Sequence, residues 1–143
     1  MKKLLAIILT VVACTFCLGV ATSCDGTKSK IAGTYEMVSI EGTLVYEGQT
    51  TQLDKSLYEY YRIVLEKNGK ARVESKAASN STLIEADGTW EWKNKKIRLK
   101  STQSGVSTVE EMDWADNVIT YTANQSGQGM TISMTIVLEK VEQ

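Results

Sequence analysis

A chain of 143 residues is the length of one domain, and its formal net charge of −1 leaves no excess of positive charge. A nucleic-acid-binding protein would need a basic face, so that class is excluded. The sequence holds no histidine, which excludes histidine-based acid–base catalysis and histidine metal sites, and no proline, which suits long uninterrupted strands.

The first 23 residues have the three parts of a secretory signal peptide. Met1-Lys2-Lys3 is a basic start, residues 4–21 are nearly all apolar, and small residues precede Cys24. An apolar run of this length is also long enough to remain as a membrane-spanning anchor. However, Asp25 follows the run instead of a basic stop-transfer cluster. The sequence therefore predicts a signal peptide over residues 1–23 and an exported mature protein.

The segment Val20-Ala21-Thr22-Ser23-Cys24 resembles the lipobox of bacterial lipoproteins, although Ala21 stands where that family usually has Leu, Val or Ile. The resemblance implies that the Cys24 thiol carries a diacylglycerol and that the protein is anchored to a membrane of the bacterial cell envelope. Two or more acyl chains are enough for stable anchoring. The residues around Cys14 fit the same pattern, but cleavage there would leave a short apolar region. Residues 24–30 are then the lipidated N-terminus and a polar tether.

From Ile31 onward, apolar and polar residues alternate along several segments, as they do in half-buried β-strands. The clearest case is residues 130–138, where Met, Ile, Met, Ile and Leu occupy every second position. This alternation predicts a strand with one face on a core. Turn signals such as Asn68-Gly69 separate the predicted strands. These strands are residues 33–46, 60–66, 70–74, 89–92, 96–100, 106–114, 118–122 and 130–139.

The even spacing of the strands favours a barrel. A meander with short connections can close on itself, and closure removes exposed strand edges. The predicted fold is all-β, a small antiparallel up-and-down β-barrel of about eight strands that occupies residues 31–143. Residues 52–60 are predicted to contain a helical turn, and residues 124–129 are predicted to be a loop rich in Gly, Gln, Ser and Asn.

Four segments together resemble the lipocalin-like domains of bacterial envelope proteins. They are the opening strand at residues 31–40, the strand and turn at residues 64–69, the Gly88-Thr89-Trp90 hairpin at residues 87–99, and the closing strand at residues 136–141. Tyr35 stands where lipocalins usually have tryptophan. The resemblance implies a β-barrel or calyx with an apolar pocket, often with no known ligand.

The inner face of the predicted barrel supplies the candidate ligand-binding residues. They are Tyr35, Met37, Ile63, Leu65, Met112, Tyr121, Ile132, Met134 and Ile136. These side chains either line an open calyx, with methionine as an adaptable lining, or fill a core that the domain needs for stability. The leading hypothesis is a lipid-anchored envelope lipoprotein that binds a small apolar or amphipathic ligand in its barrel. The alternative is a filled barrel that contacts protein or polysaccharide through surface aromatic residues.

The remaining clusters indicate no chemistry. Trp90 and Trp92 share one strand face and serve either as core packing or as a binding platform. A basic hairpin at residues 93–100 and an acidic stretch at residues 110–116 are interpreted as solvated surfaces, and the acidic stretch lacks the ligand series of a calcium loop. No nucleophile has a recognisable base beside it, and no phosphate-binding glycine motif is present. The sequence therefore predicts no enzyme activity, catalytic residue, cofactor or metal site, and it leaves the identity of any protein partner unknown.

Overall fold

The computed structural model describes residues 25–79 and 82–142. The predicted signal peptide and Cys24 lie outside the described residues, so these predictions remain predictions. Helix α1 (Asp25–Ile31) precedes the strands, and a 3₁₀ turn covers Lys55–Leu57. The strands are β1 (Gly33–Tyr46), β2 (Gln49–Leu53), β3 (Tyr58–Leu65), β4 (Lys70–Ala77), β5 (Leu83–Lys93), β6 (Lys96–Gln103), β7 (Val106–Ala115), β8 (Val118–Gly127) and β9 (Met130–Val141). In these two ranges, no helix has the length and apolar character needed to cross a membrane.

Eight of these strands close into an antiparallel barrel. Neighbours pair in the order β1, β3, β4, β5, β6, β7, β8 and β9, and β9 returns to pair with β1. The other edge of β1 pairs first with β3 and then with β2, so β2 extends the barrel wall beside β1 but is not one of the eight strands that close the ring. The predicted all-β barrel of about eight strands is confirmed.

The two ends of the barrel differ. One end, here called the closed end, carries α1 and the turns that follow β3, β5 and β7. Ile31 of α1 and Tyr35 of β1 have no solvent-accessible surface. The Tyr35 hydroxyl donates to the Ile31 carbonyl at 2.5 Å and accepts from Trp114 Nε1 at 2.9 Å. The opposite end, here called the mouth, carries the turns that follow β1, β4, β6 and β8.

The Gly-Thr-Trp segment of β5 ties several strands together. A Cβ atom on Gly88 would lie 1.9 Å from the Lys100 carbonyl oxygen, so glycine permits the close approach of β6. Trp90 is 3% exposed, and its Nε1 donates to the Glu66 carbonyl at 2.8 Å. Its backbone N–H also donates to the Gly69 carbonyl at 2.8 Å. These contacts hold the β3–β4 turn, predicted from Asn68-Gly69, against the closed end.

The barrel wall is incomplete between β7 and β8. Their ladder contains three residue pairs, from Asp113–Thr120 to Ala115–Val118. By contrast, β6 pairs with β7 along all of Lys96–Gln103. In the described chain, the edge of β7 over residues 106–112 and the facing edge of β8 therefore lack a ladder. We call this region the β7–β8 gap.

Two local predictions differ from the structure, and the helical turn predicted within residues 52–60 is found at Lys55–Leu57. Residues 124–127 belong to β8, so the predicted loop was wrong; polar pairs such as Ser133 Oγ to Asn124 Oδ1, at 2.7 Å, support the strand. The helical turn is limited to Lys55–Leu57, where Asp54 caps it by accepting from the Ser56 backbone N–H at 2.8 Å. The segment predicted to be a tether is helical from Asp25, because Ile31 packs into the closed end.

Candidate functional site

Six of the nine candidate lining residues lie in the packed closed half of the barrel. Each is at most 5% exposed: Tyr35, Met37, Ile63, Leu65, Met112 and Ile136. They pack with further buried side chains, among them Ile97, Leu99, Ile119 and Leu138. Neither of the two pockets described below is lined by any of the six. This half of the barrel is filled by its own side chains.

Of the other three candidates, Ile132 and Met134 lie nearer the mouth, and Tyr121 pairs with Ile136 at the boundary between the two halves. Tyr121, Ile132 and Met134 are half-buried, and Tyr121 and Met134 pack against the edge of the core. Because Met134 pairs with Ala123 of β8, and Tyr121 is two residues before Ala123, these side chains share the inner face. The structure therefore divides the predicted lining into a buried set of six and a more accessible set of three.

The inner surface of the mouth has an apolar side and a polar side. Strand register and alternation assign residues to this surface. The apolar side comes from β1, β2 and β9 and includes the half-buried Leu44, Leu53, Ile132 and Met134. The polar side comes from β4, β6 and β7 and includes Ser75, Ser101, Thr108 and Glu110. The inner surface of the mouth thus carries apolar side chains on one side and polar side chains on the other.

Glu110 is the charged residue at the base of the polar side. It pairs with Leu99, which is 1% exposed, and lies two positions from the buried Met112, so its side chain is on the inner face of β7. The Tyr121 hydroxyl donates to Glu110 Oε1 at 3.1 Å. Among the described residues, no lysine or arginine forms an ion pair with this carboxylate.

Two more tyrosines, Tyr58 and Tyr61, belong with Glu110 and Tyr121. The rings of Tyr58 and Tyr61 meet edge to face, with centroids 6.2 Å apart. Both rings pack against the core from the mouth side. We call Tyr58, Tyr61, Tyr121 and Glu110 the tyrosine–glutamate cluster.

Tyr121 and Tyr61 of the cluster have raised pKa values. Burial, the negative charge of Glu110 and the hydrogen bond to Glu110 raise the pKa of Tyr121 to about 12. Burial, followed by the charge of Glu110, also raises the pKa of Tyr61 far above its usual value. At neutral pH these phenols therefore provide hydroxyl donors and aromatic faces, while Glu110 provides acceptor oxygens.

Two concave pockets lie at the ends of the barrel. A pocket of 310 Å³ at the rim of the mouth is lined by Tyr46, Gln125, Ser126, Gly127, Gln128 and Met130. A second pocket, of 540 Å³, lies at the closed end and is lined by Ala32, Gly33, Thr34, Asn117, Lys140, Val141 and Glu142. The rim pocket continues the inner face of the mouth, since Gln125 pairs with Ile132.

The tryptophans pack at the closed end and form no exposed platform. Trp92 and Trp114 meet edge to face, with centroids 6.1 Å apart, and both are half-buried against the core. Lys28 of α1 lies over Trp90, with Nζ 5.1 Å from the ring centroid. Two of the three tryptophan side chains also donate hydrogen bonds within the barrel.

The basic hairpin and the acidic stretch are neighbours on the outer face. Lys96 Nζ lies 2.8 Å from Asp113, and Arg98 lies 3.2 Å from Glu91 and 3.5 Å from Glu111. These partly exposed ion pairs contribute little stability, because solvent screens them. They do bring together two surfaces that the sequence predicted separately.

Sequence reasoning missed Glu110 as an interior residue and left Tyr61 out of the candidate lining. Glu110 stands among other acidic residues, so its charge suggested a solvated surface. The available signal was its spacing from Met112, because residues two apart in a strand share a face. Tyr61 carried the same signal through its spacing from Ile63.

Comparison with known families gives one match. The family model GH43_C, described as a C-terminal lipocalin-like domain, matches residues 19–134, which is most of the chain. A search of curated proteins and a search of solved structures found no significant match.

Proposed function

Because the chain belongs to the family of C-terminal lipocalin-like domains, we propose that it is a non-catalytic module that binds a small amphipathic molecule in the mouth of its barrel. The observation that carries this proposal is the division of the mouth into an apolar and a polar side. A purely apolar ligand would desolvate Glu110 and Ser101 without giving them partners, which is unfavourable. A fully polar ligand would leave Ile132 and Met134 without the apolar contact that stabilises binding.

The ligand is proposed to stay in the mouth. The closed half is filled, so its six buried candidate residues support the floor and do not touch the ligand. The ligand would contact Tyr121, Ile132 and Met134 and extend toward the rim pocket. A shallow site of this kind fits a molecule that keeps one part near solvent.

The module is also proposed to be exported and held at a bacterial envelope membrane through Cys24. The support is the lipobox-like sequence and the apolar leader before it. Helix α1 begins at Asp25, directly after Cys24, and lies at the closed end. The lipid would therefore join the barrel at the end opposite the mouth, which would leave the mouth open to ligands.

The alternative, an interaction module that uses surface aromatics, has less support. Its recognition surface would need exposed tryptophan or tyrosine, whereas Trp90 is buried and Trp92 packs on Trp114. Tyr46 is the aromatic residue that the structure leaves 53% exposed, and it lines the rim pocket. That placement supports a ligand in the mouth as readily as a macromolecular partner.

Native mass spectrometry tests the proposal. The barrel domain, residues 25–143, is purified gently from its own host, and we expect an additional mass that organic extraction removes. In the variant Ile132→Lys this mass should be lost, while Thr131→Lys, on the outer face of the same strand, should retain it. A bare mass that remains bare after incubation with a lipid and metabolite extract would overturn the proposal.

A further inference from the structure

In the tyrosine–glutamate cluster, the Glu110 carboxylate can accept more hydrogen bonds than the described residues donate to it. A carboxylate has about four lone-pair positions for hydrogen bonds. Among the described residues, Tyr121 is the donor that reaches Glu110, through one hydrogen bond of 3.1 Å. Other carboxylates of the barrel wall, such as Glu74 and Glu111, have arginine partners on the outer face. Glu110 is therefore the inward-facing carboxylate that would gain most from a cationic partner.

The surroundings of Glu110 favour an organic cation. The rings of Tyr58 and Tyr61 lie edge to face, so at least one ring face is turned away from the other ring. Aromatic faces attract cations, and the attraction grows when water is excluded. The Tyr61 and Tyr121 phenols, whose pKa values are raised, stay neutral at neutral pH beside the Glu110 carboxylate. On β9, which pairs with the other edge of β8, the half-buried Met134 and Ile132 offer apolar contact on the same inner surface.

Access to Glu110 comes from two directions. The residue is half-buried and belongs to the polar side of the mouth. It also lies beside the β7–β8 gap, where no backbone ladder separates it from Tyr121. Neither pocket described above includes Glu110, so a ligand head must pass beyond the rim pocket or move between the two strands to reach it.

We propose that the cluster binds the ammonium group of an amphipathic organic cation, with the ammonium on Glu110 among the tyrosines and the apolar part against Ile132 and Met134. This inference rests on the proposed function and names its ligand class. A carboxylate combined with aromatic faces selects ammonium over sulfate, and the apolar wall selects an alkylated ammonium over a bare one.

The test compares three probes with the same alkyl chain. The protein is purified from its own host in the form that the host produces and is reconstituted into nanodiscs. The nanodiscs are made of uncharged galactolipid, which contains no ammonium group that could compete with the probes. Hexylammonium, hexyl sulfate and hexanol are titrated by calorimetry, with empty nanodiscs subtracted. We expect the ammonium probe to bind about tenfold more tightly than either of the others, a difference of about 1.4 kcal/mol.

The variants locate the preference. Glu110→Gln should remove the preference for ammonium, so that the ammonium probe binds no more tightly than hexanol. The control is Glu111→Gln, one residue away on the outer face, which should keep the preference. Equal binding of the three probes by the unmodified chain would overturn the ammonium site and leave the amphipathic module standing. Absence of binding by all three probes would overturn both proposals. The comparison of the three probes uses the unmodified chain, so it tests the ammonium site even if Glu110→Gln does not fold.

Discussion

The Tyr121 hydroxyl donates to Glu110 Oε1 at 3.1 Å across the β7–β8 gap. Tyr121 lies just beyond the last ladder pair, Asp113–Thr120, and Glu110 lies three residues from that pair on the other strand. A side-chain hydrogen bond thus joins two strands where the backbone ladder has ended. Because this hydrogen bond uses the phenol proton of Tyr121, it is lost when the phenol ionises at high pH.

Alkaline pH should destabilise the barrel through Tyr121. Its pKa is raised to about 12 in the folded chain, from the ordinary phenol value of about 10. Below pH 10 the stabilising effect is fully present. Between these two values the folded chain binds more protons than the unfolded chain, so the free energy of unfolding falls as pH rises. Urea unfolding at a series of pH values should show this fall, and Tyr121→Phe should make it shallower.

The variant Tyr46→Phe is the matched control for this experiment. Tyr46 is 53% exposed at the rim and lies outside the tyrosine–glutamate cluster, so Tyr46→Phe controls for the loss of a phenol as such. If Tyr121→Phe and the unmodified chain lose stability with the same slope from pH 10 to 12, the assignment of a raised pKa to Tyr121 is wrong.

Hydrogen exchange should reveal the β7–β8 gap. Amides of residues 106–112 that point away from β6 have no ladder partner, so we expect them to exchange faster than their neighbours that point toward β6. Amide exchange measured by NMR would give alternating protection along β7. Uniform protection along β7, equal to that of β6, would show that β7 and β8 form a complete backbone ladder in solution and that the gap is absent.

The sequence predicted the barrel well because its strongest signals are local. Alternation over residues 130–138 and the Asn68-Gly69 turn depend on neighbours in the chain, and both were found as predicted. Strand ends were less predictable. Residues 124–127 carry polar side chains, yet they extend β8 because pairing with β9 overrides local preference.

The candidate site was harder to predict, because its depth depends on long-range packing. Alternation identified Met112 and Tyr121 as inward-facing, but it does not say which level of a barrel is filled. The closed half is filled because α1 brings Ile31 against Tyr35, a contact that no periodicity reveals. Glu110 was assigned to the surface for its charge, although its register placed it inside.

Replacement of Gly88 should be costly. Its Cβ would meet the Lys100 carbonyl oxygen at 1.9 Å, and backbone atoms of β6 have little room to move. We expect Gly88→Ala to lower the free energy of unfolding by about 1–3 kcal/mol, the usual cost of overpacking. Gly127→Ala is the control, since a Cβ there has no atom within 4 Å. Equal urea midpoints for the two variants would contradict the close approach.

The hydroxyl of Tyr35 should stabilise the closed end. It donates to the Ile31 carbonyl and accepts from Trp114 Nε1, and the side chain is fully buried. Tyr35→Phe leaves both partners unsatisfied, which should cost about 1–3 kcal/mol. Urea unfolding measures this cost, and the exposed Tyr46→Phe should stay within about 0.5 kcal/mol of the unmodified chain. A neutral Tyr35→Phe would mean that water replaces the hydroxyl at the closed end.

The membrane anchor can be tested through the three cysteines of the leader region. If Cys24 carries the lipid, Cys24→Ser should move the protein out of the membrane fraction or leave it as an uncleaved precursor of higher mass. Cys17→Ser should have neither effect, because residue 17 would be removed with the leader, whereas Cys14→Ser tests the competing lipidation position. Cell fractionation followed by mass measurement separates these outcomes. If Cys24→Ser stays membrane-bound at the mature mass while Cys14→Ser does not, the anchor is at Cys14, and the barrel would follow a longer N-terminal segment.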